Sequence, residues 1–120
     1  MKLSELLAML RDKAEKFDVS GCNFLAINFR MTDIEESDID NDDQKKEPGI
    51  FYIEVKDGRV DIQPYRYNDT NCTICMKMKN FLKLMDRKLD AVLAFTTGIL
   101  KIDGDIGKAL EFSELLKKAE

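Results

Sequence analysis

Phe95-Thr96-Thr97-Gly98-Ile99-Leu100-Lys101-Ile102-Asp103-Gly104-Asp105 joins the end of one helix, a strand and the start of a second helix with almost no loop between them. Gly98 closes a short apolar helix that begins near Asp90, because glycine takes the left-handed backbone just past a helix end without steric cost. Ile99 to Asp103 then reads as a strand, with Leu100 and Ile102 on one face and Ile99 and Lys101 on the other. Gly104 turns the chain, and Asp105 is placed to accept from the free backbone N–H groups of a helix running from Ile106 to Lys118. Elements locked this closely imply a helical roof hinged on a sheet.

Upstream, Leu3, Leu6, Leu7, Leu10, Ala14 and Phe17 fall on one side of a helix predicted from about Ser4 to Lys16, with Ser4 as its cap. A first strand, roughly Phe24 to Met31, alternates Leu25, Ile27, Phe29 and Met31 inward with Phe24, Ala26, Asn28 and Arg30 outward. Phe24 and Ala26 blur that alternation and predict cover on both sides at one end. Ile50 to Lys56 is a second strand carrying Phe51, Ile53 and Val55 on one face. Asp57-Gly58 is a two-residue hairpin signal leading into Arg59 to Gln63, where Val60 and Ile62 point inward and Pro64 stops the ladder. After a polar loop from Tyr65 to Asn71 comes a fourth strand, Cys72 to Met78, and then a helix from about Asn80 to Lys88 presenting Phe81, Leu82, Met85 and Leu89. The predicted order is α-β-β-β-β-α-α-β-α.

Between the first two strands the composition changes. Asp33, Glu35, Glu36, Asp38, Asp40, Asp42, Asp43 and Glu47 crowd a segment of little apolar content. Asp38, Asp40 and Asp42 have the first three spacings of a calcium loop, but Asp43 stands at the turn glycine and Gly49 at the bidentate glutamate. A solvated connection that repels itself and stays mobile is the better reading.

The 120 residues suffice for one globular domain and one core, and are too few for two. With 19 basic and 23 acidic residues the chain lacks a general nucleic-acid footprint, although a local basic patch is compatible with a negative total. Apolar runs are far shorter than a membrane span, Met1 to Lys16 does not read as a signal peptide, and Lys118-Ala119-Glu120 is not a peroxisomal address. Three cysteines in an ordinary core fit a reducing cytoplasm, which is the expected location.

Chemistry is sparsely supplied. Cys72-Thr73-Ile74-Cys75 has redox or zinc spacing, but in a strand positions three apart point to opposite faces. Only Cys22 could add a third thiol ligand and there is no histidine, so small packed side chains explain the cysteines better than a metal. Walker, dinucleotide and nucleophile-elbow motifs are absent, and Gly104-Asp105-Ile106-Gly107 lacks phosphate-loop spacing. No catalytic residue, metal or cofactor is expected.

Asp57-Gly58, Thr73-Ile74, Phe81-Leu82, Lys88-Leu89-Asp90, Ala94-Phe95-x-x-Gly98, Leu100-Lys101-Ile102-x-Gly104-Asp105, Ala109-Leu110 and Leu115-Leu116 occur in that order. In this combination the chain resembles the sterol carrier protein type-2 family from about Leu25 onward, most densely from Phe95 to Leu116. The resemblance implies an α+β fold, with a five-stranded, largely antiparallel sheet and helices packed on one face. It also implies a space between the layers for a fatty acid, fatty acyl-CoA, sterol or phospholipid. The long acidic loop, Asn71-Cys72 in place of an acidic residue before threonine, and the absent peroxisomal tail depart from the family pattern.

Placed on that fold, the expected lipid-lining side chains are Phe29, Phe51 and Ile53 from the first two strands and Ile74 and Met76 from the fourth. Phe81, Leu82 and Met85 would join them from the next helix, and Leu93 and Phe95 from the short one. Leu100, Ile102, Ile106 and Leu110 would complete the lining, with the last helix a movable lid. Large flexible side chains, among them Met31, Met78 and Phe112, can re-pack around varied guests. A filled core without a cavity explains the patterning better, and only the resemblance reverses that preference. Lys77 and Lys101 fit solvated surface positions better than contacts to a ligand's carboxylate or CoA phosphate at the mouth. The expected ligand is a lipid or fatty acyl chain, with a transient membrane or enzyme partner and a homodimer as further options and no nucleic acid. A non-catalytic accessory or dimerisation module without cargo is the alternative.

Overall fold

A computed structural model describes residues 1–40 and 42–118. Asn41 and residues 119–120, on which the reading of the C-terminal tripeptide rests, lie outside them. The elements are α1 (Leu3–Ala14), β1 (Phe24–Met31), β2 (Ile50–Lys56), β3 (Arg59–Gln63), β4 (Cys72–Met76), α2 (Met78–Met85), α3 (Ala91–Thr96), β5 (Lys101–Gly104) and α4 (Ile106–Lys118). Short 3₁₀ turns at Glu36–Asp38 and Asp42–Lys45 sit between β1 and β2.

The five strands form one sheet in the order β3-β2-β1-β4-β5. All neighbours are antiparallel except β1 and β4, which are parallel. Its register sets Phe51 opposite Phe29, Phe29 opposite Ile74, and Ile74 opposite Ile102, so one row of large side chains crosses four strands on the helix-covered face. The Phe29 and Phe51 rings stack at 5.2 Å, and Phe81 from α2 meets them edge-on at 5.4 and 5.7 Å. The predicted apolar face of α1 is buried throughout, and α4 packs over β1, β4 and β5. Phe17, three residues past the end of α1, meets Phe112 of α4 edge-on with ring centroids 6.3 Å apart.

The other sheet face is covered in part by the polar loop. Asn28, 1% exposed, donates to the Tyr67 carbonyl at 2.9 Å and accepts from the Tyr67 N–H at 2.7 Å, while the Thr70 hydroxyl donates to the Ala26 carbonyl. Phe24 itself remains 43% exposed, so the doubly covered part of β1 begins one residue later than Phe24 implied.

Several boundaries differ from the sequence reading for local reasons. Leu3 already belongs to α1, and Ser4, inside the helix, donates to Asp40 at 2.8 Å instead of capping it. β4 ends at Met76 because the Thr32 N–H takes the Met76 carbonyl at 3.0 Å, and the Asp33 carboxylate accepts from Met78 N–H at 2.7 Å, starting α2 two residues early. α2 stops at Met85 because Arg87 enters the left-handed region at φ 60°. β5 begins at Lys101, not Ile99, after the turn at Gly98, whose φ is 81°.

Gly104 has φ 103°, and any Cβ there would collide with the Asn71 carbonyl, which accepts from Asp105 N–H at 2.6 Å. Asp105 then accepts from Gly107 N–H at 2.9 Å, capping α4 as its position predicts.

The acidic segment is more ordered than a self-repelling connection. Gln44, 1% exposed, donates to the carbonyls of Ile50 at 2.5 Å and Pro64 at 2.6 Å and accepts from Gly49 N–H at 2.9 Å. One side chain thus ties the segment to the start of β2 and the end of β3. Gln44→Ala leaves these buried groups without their partner and is expected to lower unfolding stability by about 2 kcal/mol in urea titration. A change under ~0.5 kcal/mol, typical of surface positions, would return the segment to a loose connection.

Candidate functional site

α3, β5 and α4 follow one another closely, α4 packs on β1, β4 and β5, and α3 and α4 border a common opening above Phe29, Ile74 and Ile102. The two helices do not close completely. A cavity of about 320 Å³ remains, floored by Phe29, Ile74 and Ile102 of the transverse row and by Leu100. Val92, Phe95 and Thr96 of α3 form one side, and Ile106, Ala109, Leu110, Phe112 and Leu116 of α4 the other. Phe29, Ile74 and Phe112 are at most 3% exposed, whereas Val92, Phe95, Ile106 and Leu110 are 39–51% exposed. The exposed four therefore form the mouth and the buried three the depth.

Each side of this cavity follows from helical spacing. On α3, Val92 and Phe95 are three apart and face α4, and Asp90 fixes the helix start by accepting from Leu93 N–H at 3.0 Å. On α4, Ile106, Ala109, Leu110, Ser113 and Leu116 recur at intervals of three and four and face the gap.

Seven expected lining residues meet at the cavity: Phe29, Ile74, Phe95, Leu100, Ile102, Ile106 and Leu110. Phe51, Ile53, Met76, Phe81 and Met85 are buried elsewhere in the core, and Leu82 packs half-buried against it. Leu93 points away and is 56% exposed. Phe112, expected only as a flexible side chain able to re-pack, also lines the cavity, and so do Leu84, Ala91, Val92, Thr96, Ala109, Ser113 and Leu116, which were not among the expected residues. Their signal was present as the spacing from Val92 and Ile106, but alanine, serine and threonine do not announce an apolar wall.

Thr96 and Ser113 supply the polar atoms of the lining, and no titratable side chain belongs to it among the described residues. Such a space can strip water from a hydrocarbon. It shares Leu84, Ala91, Ser113 and Leu116 with an adjoining recess of about 270 Å³ whose further walls include Arg87, Asp90 and Lys117. Cys72, buried outside the cavity, has its thiol pushed up by burial and then by the Asp105 charge, the reverse of an activated nucleophile. All three cysteines are free, and among the described residues no three His, Cys, Asp or Glu side chains gather as a metal site requires. Nor, among those residues, is any helix long and apolar enough to cross a membrane.

The sequence profile described as the SCP-2 sterol transfer family matches residues 2–117. The chain belongs to this family. Human sterol carrier protein 2 is 36% identical to this SCP-2 domain over 65 residues, 54% of the present chain and 12% of the human one. The chain therefore spans about an eighth of the curated relatives it matches. Among solved structures, palmitated SCP2L2 from Aedes aegypti superposes with a TM-score of 0.59 at 14% identity, covering 97% of this chain and 95% of that one. The sec-alkylsulfatase Pisa1 from Pseudomonas sp. gives 0.66 at 20% identity, covering 85% of this chain but 14% of the enzyme. At these identities the likeness to the solved structures is one of fold.

Proposed function

We propose that residues 1–120 act as a single lipid-binding domain that encloses the hydrocarbon chain of a fatty acyl, sterol-like or isoprenoid-like lipid and carries or presents it. The observation that carries this reading is the apolar cavity between α3, α4 and the sheet, with exposed apolar residues at its mouth. A methylene takes up roughly a water's share of liquid volume, ~30 Å³, so about ten fit within the cavity. Each contributes about 0.8 kcal/mol on burial, and a longer chain would continue past Val92, Phe95, Ile106 and Leu110. Membership of a sterol transfer family supports a lipid cargo, and the palmitated mosquito relative supports an acyl one. α4, bearing both buried and exposed cavity residues, is the movable lid.

Protein purified under native conditions is expected to retain a long-chain ligand in native mass spectrometry, or to take up a fluorescent fatty acid once delipidated. Phe95→Asp sets a hydrated carboxylate at the mouth and is expected to weaken uptake about tenfold. Undiminished uptake by the folded variant would remove the cavity from the proposal. A second reading has its own support, since the Pisa1 match occupies a small part of a larger enzyme. On that reading the domain is a cargo-free accessory or dimerisation module, recognised by a stable homodimer in light scattering and no ligand in the native spectrum.

A further inference from the structure

Ser113, on the inner side of α4 and 7% exposed, stands where the apolar cavity passes into the adjoining recess of about 270 Å³. Among the described residues its hydroxyl has no hydrogen-bond partner. No side-chain oxygen among those residues is both sealed from solvent and unpartnered, so this hydroxyl opens into the spaces that Ser113 lines. A hydroxyl buried in this way costs free energy until something completes it. Its own helix does not: Ala109 before it and Leu116 after it are apolar, and Lys117, four residues on, is turned to Glu114 at 3.7 Å. That ion pair is exposed and weak, which leaves the ammonium open to a better partner.

The recess is also where charge first appears beside the cavity. Arg87 and Lys117 stand on its wall with one carboxylate, Asp90, which is engaged by Leu93 N–H at the start of α3. Two cations therefore face one committed anion. The other end of the cavity, at Val92, Phe95, Ile106 and Leu110, is apolar and open. Ser113 lies seven residues beyond Ile106, about 10 Å along α4, so the space has an apolar end and a polar end.

We infer that the recess is a headgroup site for a carboxylate, and that it sets the direction in which a lipid lies. The Ser113 hydroxyl and the Lys117 ammonium donate to the carboxylate oxygens, and Arg87 adds charge from the opposite wall. The hydrocarbon then runs past Ala109 towards Ile106, with its methyl end at the mouth. The preferred ligand is an unesterified fatty acid, chosen over neutral chains of the same length. This inference rests on the proposed enclosure of a hydrocarbon chain and adds which end of it is held.

Delipidated protein is loaded with a fatty acid fluorescent at its methyl end, which is displaced by dodecanoic acid or by its methyl ester. The acid is expected to bind about tenfold tighter, a preference that shrinks as salt rises. Ser113→Ala should bring the two within about threefold. Because the hydroxyl bonds nothing in the empty protein, that variant should be as stable in urea as the parent, or more so. Lys117→Gln should weaken the acid about threefold. Lys118→Gln, which borders a separate concavity with Asp18 and Glu111, should leave acid and ester unchanged. Equal affinity for acid and ester, or an undiminished preference in both Ser113→Ala and Lys117→Gln, would overturn the inference and leave the chain-binding cavity in place. Tighter binding of dodecan-1-ol than of the acid would also overturn it, since the recess would then hold a neutral hydroxyl. So would a marked loss of urea stability in Ser113→Ala, which would give the hydroxyl a structural bond. Wild-type protein that takes up neither the probe nor the ester would sink the proposed function, and the headgroup site with it.

Discussion

Phe81→Ala is expected to lower the free energy of unfolding by about 3–5 kcal/mol, read as an earlier urea midpoint at unchanged slope. Phe81 is fully buried, with its ring edge-on to both members of the stacked Phe29–Phe51 pair. The eight residues of α2 are too few to hold a helix in water by themselves, so its place depends on this anchor. Removing the ring leaves a void at the meeting point of β1, β2 and α2 that a rigid sheet cannot collapse to fill. Against a typical total of about 5–15 kcal/mol, the loss would be a large share of the stability of the domain. Phe81 does not line the cavity, so ligand affinity per folded molecule should hold. A midpoint shift worth less than ~1 kcal/mol would place the keystone elsewhere.

The strands were legible because their signals are local and redundant. β1, β2 and β3 have the bounds their alternation predicts, and Asp57-Gly58 sits in the hairpin it signals, with φ of 52° and 75°. Where a boundary depends on a distant side chain the sequence misleads. Asp33 fixes the start of α2 from 45 positions away, and Gln44 orders an acidic segment through two carbonyls and an N–H that its neighbours do not reveal. The parallel pairing of β1 with β4 is likewise long-range, as is the clasp of Asn28 on the Tyr67 backbone in the loop that precedes β4. Seven of the fourteen side chains expected to line a ligand space border the cavity and seven lie elsewhere, for a related reason. Size and apolarity identify buried side chains, but whether one faces a void or a neighbour depends on how two helices are spaced. Phe51 and Phe29 share a row and a stack, yet only Phe29 lies beneath the gap between α3 and α4.

Ala109→Phe should weaken fatty acid binding by about 50- to 100-fold while leaving the empty protein as stable as before, or more so. Ala109 is 8% exposed on the inner side of α4 and lines the cavity, so a larger side chain has empty space ahead of it rather than a packed neighbour alone. The added ring takes up roughly a third of the 320 Å³, the room of about three methylenes. At ~0.8 kcal/mol per methylene the ligand forfeits about 2.5 kcal/mol of burial, which is the stated fold-change. In a core without a void the same substitution would overpack, lowering thermal stability by about 1–3 kcal/mol and leaving affinity alone. Fluorescence titration and thermal unfolding of the delipidated variant therefore read opposite signs for the two interiors. A destabilised variant that binds as tightly as the parent would mean that the space between α3 and α4 is not where the chain of the lipid lies.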